Sequence, residues 1–578
     1  MPSIVRQSSL AALLTIAAGC GAWSPECGPD ACDELGYECG QQVDACGDAL
    51  DCGDCGDWHE CQDAVCVCVP QSCESLELEC GTHDDRCGDR IECGACAWPL
   101  VCDAAGMCVE PDEPPDVLDG LLLVPGLNVQ EVPSDVQGTR AFLLELEQPE
   151  FHTGPSEQTF TQRMLLLHRH LDAPMVMNLI GYGFGAFGRE PEDLTFYLTE
   201  PAHLLGANQL LVEHRFFGES IPESPNWTAL NIEESANDSH RIVEALSLVY
   251  GGPWVGTGVS KGGMTAIFHE RFFPDDLLAV IPYVSPINFG EDQRYIGHLR
   301  SIGPEDGVCR ERVLDMALEV VERRAEGAQL LRDQVPEAAQ METEVLEALV
   351  TFPAFSFHWG FWQYYGSEEA CLALPDRGAP FDVLAEWVLT GPGGDLAGLL
   401  DPYAYDPSIS PYEYQVQSEL GRQAIDYGHL AQEVSEIDYG VIEEPPLPPW
   451  GAPPAFDPDA MLDVDDFLQT ETDRVLAIYG ELDPWTAGMI TLDPHGDNLV
   501  IVGPGLNHGA SIERLTHELQ EQAIDRLDAW IPGPFKAGLR PSSAERLPSL
   551  RLEAELSRRI FEIERETASF SVMRELVP

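Results

Sequence analysis

From about residue 118 onward, short apolar runs alternate with amphipathic stretches of helical period. The runs at 164–168, 175–180 and 209–213 are largely apolar and bounded by polar or turn-forming residues, which predicts strands buried on both faces. A helix is expected at 233–250, a short strand at 254–257, a helix at 262–272 and a strand at 278–284. Much later come strands at 475–479 and 499–502, then a helix at 511–530. Such alternation argues for a mostly parallel sheet covered by helices. Between 284 and 475 the pattern changes to long helical stretches at 310–332 and 337–350, followed by an aromatic run over 352–365 that holds Phe352, Phe355, Phe357, Trp359, Phe361 and Trp362. This reads as a helical insertion, about 286–473, lying as a lid over the carboxyl edge of the sheet.

The preceding segment has no such periodicity and is organised by cysteine instead. Cys27, Cys32, Cys39, Cys46, Cys52, Cys55, Cys61 and Cys66 recur as Cys68, Cys73, Cys80, Cys87, Cys93, Cys96, Cys102 and Cys108, at a constant offset of 41 residues until the last pair. Two small modules, 20–109, with few apolar residues to bury, are expected to be stapled covalently. The C-G-x-C spacing also suits zinc, but so many cysteines in an exported chain favour disulfides. Prolines and acidic residues over 110–117 form an extended linker, and the ordinary composition of 118–578 marks the main domain.

Residues 1–19 carry Arg6, an apolar stretch and the small residues Ala17, Ala18 and Gly19 before Cys20. Cys20 there resembles a bacterial lipobox, which would lipidate it and tether the mature chain to a membrane at the cell surface; an ordinary signal peptide is the alternative. Setting Cys20 aside leaves 18 of 19 cysteines, an even number suited to full pairing in an oxidising compartment. The remaining two, Cys309 and Cys371, fall in the insertion, where a disulfide would tie it to itself. Net charge is −68, and the only lysines are Lys261 and Lys536. That field repels nucleic acid and anionic lipid, so neither is an expected partner and the lipid anchor would be the sole membrane contact. It would attract positively charged substrate ends, or serve simply as a solubilising acidic surface.

The chemistry centres on Gly258-Val259-Ser260-Lys261-Gly262, a G-x-S-x-G between a predicted strand and a predicted helix. That context is what a nucleophile elbow requires, and it points to an α/β-hydrolase fold with Ser260 as nucleophile. In this fold the acid and the base follow in that order, each in a loop after a strand. Asp483, after the strand at 475–479, meets the first condition, with Glu481 as rival. For the base, His508 follows the strand at 499–502, whereas His495 precedes it and His517 lies within the last helix. An oxyanion hole is expected from the backbone N–H of Lys261 and one in the glycine-rich loop 180–185, at Tyr182; a plain tight turn is the other reading of that loop. Neither a metal cluster nor a phosphate-cradling loop stands out, so no cofactor is expected.

Gly258-Val259-Ser260-Lys261-Gly262-Gly263-Met264-Thr265, with Arg271-Phe272-Phe273-Pro274-Asp275-Asp276, resembles the S37 serine peptidases, secreted prolyl tri- and tetrapeptidyl aminopeptidases. Phe160, Gln162 and Arg163, Glu213-His214-Arg215-Phe216-Phe217-Gly218, and Gly480 with Asp483-Pro484-Trp485 are similar to the related S28 group. The resemblance spans roughly 118–530 and leaves out the cysteine modules, which resemble repeats of bacterial surface lipoproteins. It implies a Ser260–Asp483–His508 triad, a helical lid, and release of short peptides ending in proline from substrates with a free N-terminus. An exopeptidase needs a carboxylate to hold the substrate's α-ammonium, and Glu213, ending the strand at 209–213, is the candidate; a salt bridge with Arg215 or another arginine is the alternative. An esterase or lipase using the same triad, and a non-catalytic adhesion protein, are the rival functions.

Overall fold

The computed structural model describes residues 32–531 except 44–46, 112–114, 135, 154–157, 188–197, 392–395, 401–404, 425, 427, 438 and 442–446. Cys20 and the segment around it lie outside the described residues. The chain divides into two compact units at Pro114 and Pro115.

In the first unit, hairpins repeat with the cysteines: Gln41–Val43 pairs with Ala49–Asp51 as Thr82–Asp84 pairs with Arg90–Glu92, and His59–Gln62 with Val65–Cys68 as Val101–Cys102 with Cys108–Val109. The described cysteines of this unit are all in disulfides. Cys32–Cys52, Cys39–Cys61 and Cys55–Cys66 in the first module match Cys73–Cys93, Cys80–Cys102 and Cys96–Cys108 in the second, which adds Cys68–Cys87. Cys27 and Cys46 lie outside the described residues. Cys39, Ala64 and Cys80 are the only buried apolar side chains among the described residues of this unit. Cross-links therefore replace a core, as expected of so small a fold. Where three cysteine sulfurs lie close enough to suggest a metal site, the atoms involved are already bonded in these disulfides.

The second unit is an α/β-hydrolase built on a nine-stranded sheet. Its strands are β1 (Leu127–Val132), β2 (Arg140–Pro149), β3 (Thr159–His168), β4 (Met175–Leu179), β5 (Asn208–Val212), β6 (Trp254–Val259), β7 (Ala279–Tyr283), β8 (Leu476–Gly480) and β9 (Leu499–Gly503). They lie in the order β9-β8-β7-β6-β4-β5-β3-β2-β1. From β9 to β5 all neighbours are parallel; β3, β2 and β1 add an antiparallel end. The interior strands β4, β5, β7 and β8 are buried at every residue, because helices cover both faces. Two of those helices, α1 (Ile232–Leu246) and α2 (Lys261–Phe272), pack on each other beside β6. Asn231 caps α1 by accepting the Glu234 N–H at 2.8 Å, and Glu233 and Glu234 complement the helix dipole.

Between β7 and β8 lies the helical insertion. The single helix expected at 310–332 is two, α3 (Val308–Glu322) and α4 (Arg324–Gln334), broken at Arg323, whose guanidinium bonds Glu319 and Glu326 at 2.7 and 2.9 Å. The next helix, α5 (Thr343–Gly360), begins later than expected and runs on through Pro353 into the aromatic run. A proline there forfeits a hydrogen bond, and the burial of Phe352, Phe355 and Trp359 on all sides offsets the loss. Cys309 pairs with Cys371, fastening the start of α3 to the short helix Glu368–Ala373. The last helix, α6 (His517–Trp530), starts six residues after the expected 511 and packs on β9.

Candidate active site

Ser260 sits between the end of β6 and the start of α2 with φ 54° and ψ −124°. A residue with a Cβ is strained in that region by about 1–3 kcal/mol. The turn is held by the Ser260 N–H donating to the Tyr283 carbonyl at the end of β7, at 2.8 Å. Gly258 is required by closeness: a Cβ there would stand 2.6 Å from the Gly263 nitrogen.

Asp483 follows β8, is fully buried, and caps the turn Pro484–Gly488 by accepting the Trp485 N–H at 3.0 Å. Its other oxygen accepts from His508 Nδ1 at 2.7 Å. A carboxylate can only accept, so Nδ1 carries the proton and Nε2 is left as the basic nitrogen. His508 follows β9; its N–H donates to the Gln363 carbonyl at 3.0 Å, and its ring lies 6.4 Å from Trp485 and 6.2 Å from Tyr364. Ser260, Asp483 and His508 thus follow the carboxyl ends of β6, β8 and β9, which with β7 are adjacent parallel strands. The rivals lie elsewhere: Glu481 is exposed and accepts the Gly505 N–H, His495 is exposed in the turn before β9, and the His517 side chain is 83% exposed.

The loop after β4 comes up against the elbow. At Gly181, φ is +77°, and a Cβ there would lie 2.7 Å from the Gly262 nitrogen. Tyr182 and Lys261, the two expected backbone donors, therefore flank one backbone contact. Glu213 is fully buried, with Arg163 donating to both its oxygens at 2.7 and 2.8 Å, Ser220 Oγ at 2.6 Å and the Phe184 N–H at 2.8 Å. That saturated geometry supports the salt-bridge reading over the α-ammonium reading, with Arg163 as the partner. Arg215 instead bonds Asp238 at 2.8 Å.

Three sets of contacts could not be paired from the sequence, although the insertion and its aromatic run are expected over this edge of the sheet. Gln363 and Tyr364, from the end of the aromatic run, touch His508, so the insertion reaches the base. Trp359, Tyr295 and Trp485 form an aromatic cluster with ring separations of 5.0 to 5.7 Å, which continues the same wall to the acid's turn. Half-buried Glu200 accepts the N–H groups of Ile512 and Glu513 at 2.8 and 2.6 Å and the Tyr283 hydroxyl at 2.9 Å, tying the segment beyond His508 to β7. Burial pushes its carboxyl above the usual range.

The family profile described as PS-10 peptidase S37 matches residues 110–570. A prolyl tri/tetrapeptidyl aminopeptidase of Streptomyces mobaraensis is 30% identical over 442 residues, covering 75% of this chain and 87% of the relative. Among solved structures, the peroxisomal α/β-hydrolase Lpx1 of Saccharomyces cerevisiae aligns at 12% identity with a TM-score of 0.29, over 73% of this chain and 93% of its own. A hyperthermophilic esterase of Pyrobaculum calidifontis aligns at 11% identity with a TM-score of 0.26, over 72% and 89%.

Proposed function

Because the chain belongs to the PS-10 peptidase S37 family and is a serine peptidase, we propose that Ser260, His508 and Asp483 form its catalytic triad and that it releases short peptides after proline from free N-termini. The observation that carries the triad is the 2.7 Å bond from His508 Nδ1 to Asp483, on the strand ends next to the strained Ser260. Ser260 Oγ attacks the scissile carbonyl while His508 Nε2 takes its proton, and Asp483 stabilises the imidazolium that forms. The tetrahedral oxyanion is bound by the N–H groups of Lys261 and Tyr182. Collapse breaks the C–N bond as His508 protonates the leaving amine; water then hydrolyses the acyl-enzyme by the same steps in reverse. Preference for proline and for three or four residues comes from the relative's name, and the aromatic wall beside His508 suits a proline ring. Cys20 is proposed as the lipidated N-terminus of an exported protein, a reading that the disulfide-rich first unit supports.

A peptide library with proline placed at positions two to six, digested and read by mass spectrometry, tests the reading. Cleavage confined to bonds after proline near free N-termini is expected. Internal cleavage, or hydrolysis of p-nitrophenyl esters without prolyl peptides, overturns it. In the same assay Ser260→Ala and His508→Ala should each lose about 10⁶-fold in kcat and Asp483→Asn about 10⁴-fold, with His495→Ala unaffected.

A further inference from the structure

Lys261 follows the nucleophile, yet its side chain points inward and the residue is 2% exposed. Burying an ammonium carries a large desolvation penalty, and among the described residues no carboxylate forms an ion pair with it. Its surroundings are instead two aromatic faces, Phe217 with its ring centroid 4.6 Å from Nζ and Tyr182 at 5.4 Å, and one carbonyl. Nζ donates to the Gly181 oxygen at 2.5 Å. Desolvation holds the ammonium well below the pKa of a free lysine. A fold that places one of its two lysines here must gain something from the contact.

The carbonyl that Lys261 holds belongs to the peptide joining Gly181 to Tyr182. In a trans peptide the N–H points opposite to the C=O, so a donor fixed on the Gly181 oxygen also fixes where the Tyr182 N–H points. The clamp matters because Gly181, at φ +77°, has no side chain to restrain rotation of that peptide. Hydrogen bonding at the carbonyl polarises the amide as well, which makes its N–H a stronger donor. We propose that Lys261 is a positioning residue of the oxyanion hole. Its backbone N–H supplies one donor, and its side-chain Nζ, bound to the Gly181 carbonyl, orients and strengthens the other at Tyr182. This inference rests on the triad and oxyanion assignment made above.

Lys261→Met, in the full chain, keeps the aliphatic stem between the two rings and removes the donor. With a prolyl peptide substrate, kcat should fall about 10²-fold to 10³-fold, the usual loss for one oxyanion donor, while KM stays within about threefold. Phosphonylation of Ser260 by a fluorophosphonate, whose phosphoryl oxygen occupies the same hole, should slow in parallel. A packing role would leave that kcat-against-KM split unmoved. Lys261→Met with kcat within about twofold of wild type, or with a loss confined to KM, overturns the inference while labelled Ser260 leaves the triad standing. Failure of wild type to be labelled at Ser260 overturns both. Should Lys261→Met not fold, wild type grown on 15N-lysine answers the question, since only Lys261 and Lys536 contribute signals. Phosphonylation should shift both the backbone N–H and the Nζ resonances of Lys261; an unmoved Nζ resonance overturns the proposal.

Discussion

At the residue scale, the buried Glu213 carboxylate illustrates how burial separates substrate recognition from support. Its four donors come from β3, from the turn at Ser220 and from the loop at Phe184 just past the proposed oxyanion donor. A substrate ammonium could reach it only by displacing Arg163, whose third guanidinium bond goes to the exposed Glu219. Glu213→Gln should therefore lower stability by about 3 kcal/mol, because it leaves a partly buried guanidinium short of its partner. Activity on free-amine and N-acetylated peptides should fall by the same factor, through loosening of the Phe184 loop. A loss restricted to free-amine peptides, with an unchanged thermal midpoint, would return the α-ammonium role to Glu213. The sequence placed this carboxylate correctly at a strand end but could not name its partner, since Arg163 is 50 residues away and meets it only across the β3–β5 pairing.

At the scale of elements, the readable parts were those whose pattern is uniform along the segment. Strands β4, β5, β7 and β8 are mostly apolar and buried throughout, and each is expected within a residue or two of its bounds. Of the antiparallel end, the pattern predicts the second half of β3 but neither β1 nor β2. In β2, Leu144 and Leu146 face the core while Glu145 and Glu147 face solvent, a two-residue alternation that a search for apolar runs passes over. Helix α2 carries a consequence of its own. Burial pushes the Glu270 carboxyl up to about 8, from an ordinary 4.5. Between those values the unfolded chain has released the proton and the folded chain still holds it, so stability falls as pH rises through the window and levels off above it. Glu270→Gln should match wild type near pH 4.5 and melt about 5 °C higher at pH 8.5, as measured by calorimetry across that range. A melting difference independent of pH would show that Glu270 ionises freely behind the nucleophile.

At the scale of the whole molecule, two units meet different problems. The larger buries separate clusters, one on the sheet with Val255, Ile281 and Ile478, and one in the insertion, where Val313, Leu349 and Phe355 join Trp485 of the acid's turn. The smaller, with almost no buried apolar side chains among its described residues, depends on its cross-links. Among the described residues no helix is long and apolar enough to cross a membrane. A chain beginning at Glu110 should therefore retain full kcat/KM on prolyl peptides and its thermal midpoint under reducing conditions mild enough to spare Cys309–Cys371. Loss of activity on that truncation would make the cysteine modules part of the enzyme. Cys20→Ser in the full chain should move the protein from the membrane fraction to the medium, and retention would count against lipidation.

The sequence by itself determined whatever is encoded within a few neighbouring residues. That includes the repeat at 41 residues, the strand–turn–helix around Ser260, and the loops after β8 and β9 that offer Asp483 and His508. Turn chemistry and hydrophobic period are local, and the order of the three residues along the chain follows from the order of the strands. Only the tertiary structure decided which distant atoms meet. It turned the Lys261 side chain inward onto Gly181, seated Gln363 and Tyr364 of the insertion against His508, joined Glu200 to the segment beyond it, and chose the pairing of the described cysteines in each module. Those contacts depend on how packed surfaces come together, and a hydrogen bond 80 residues long in sequence leaves no trace in the local pattern at either end.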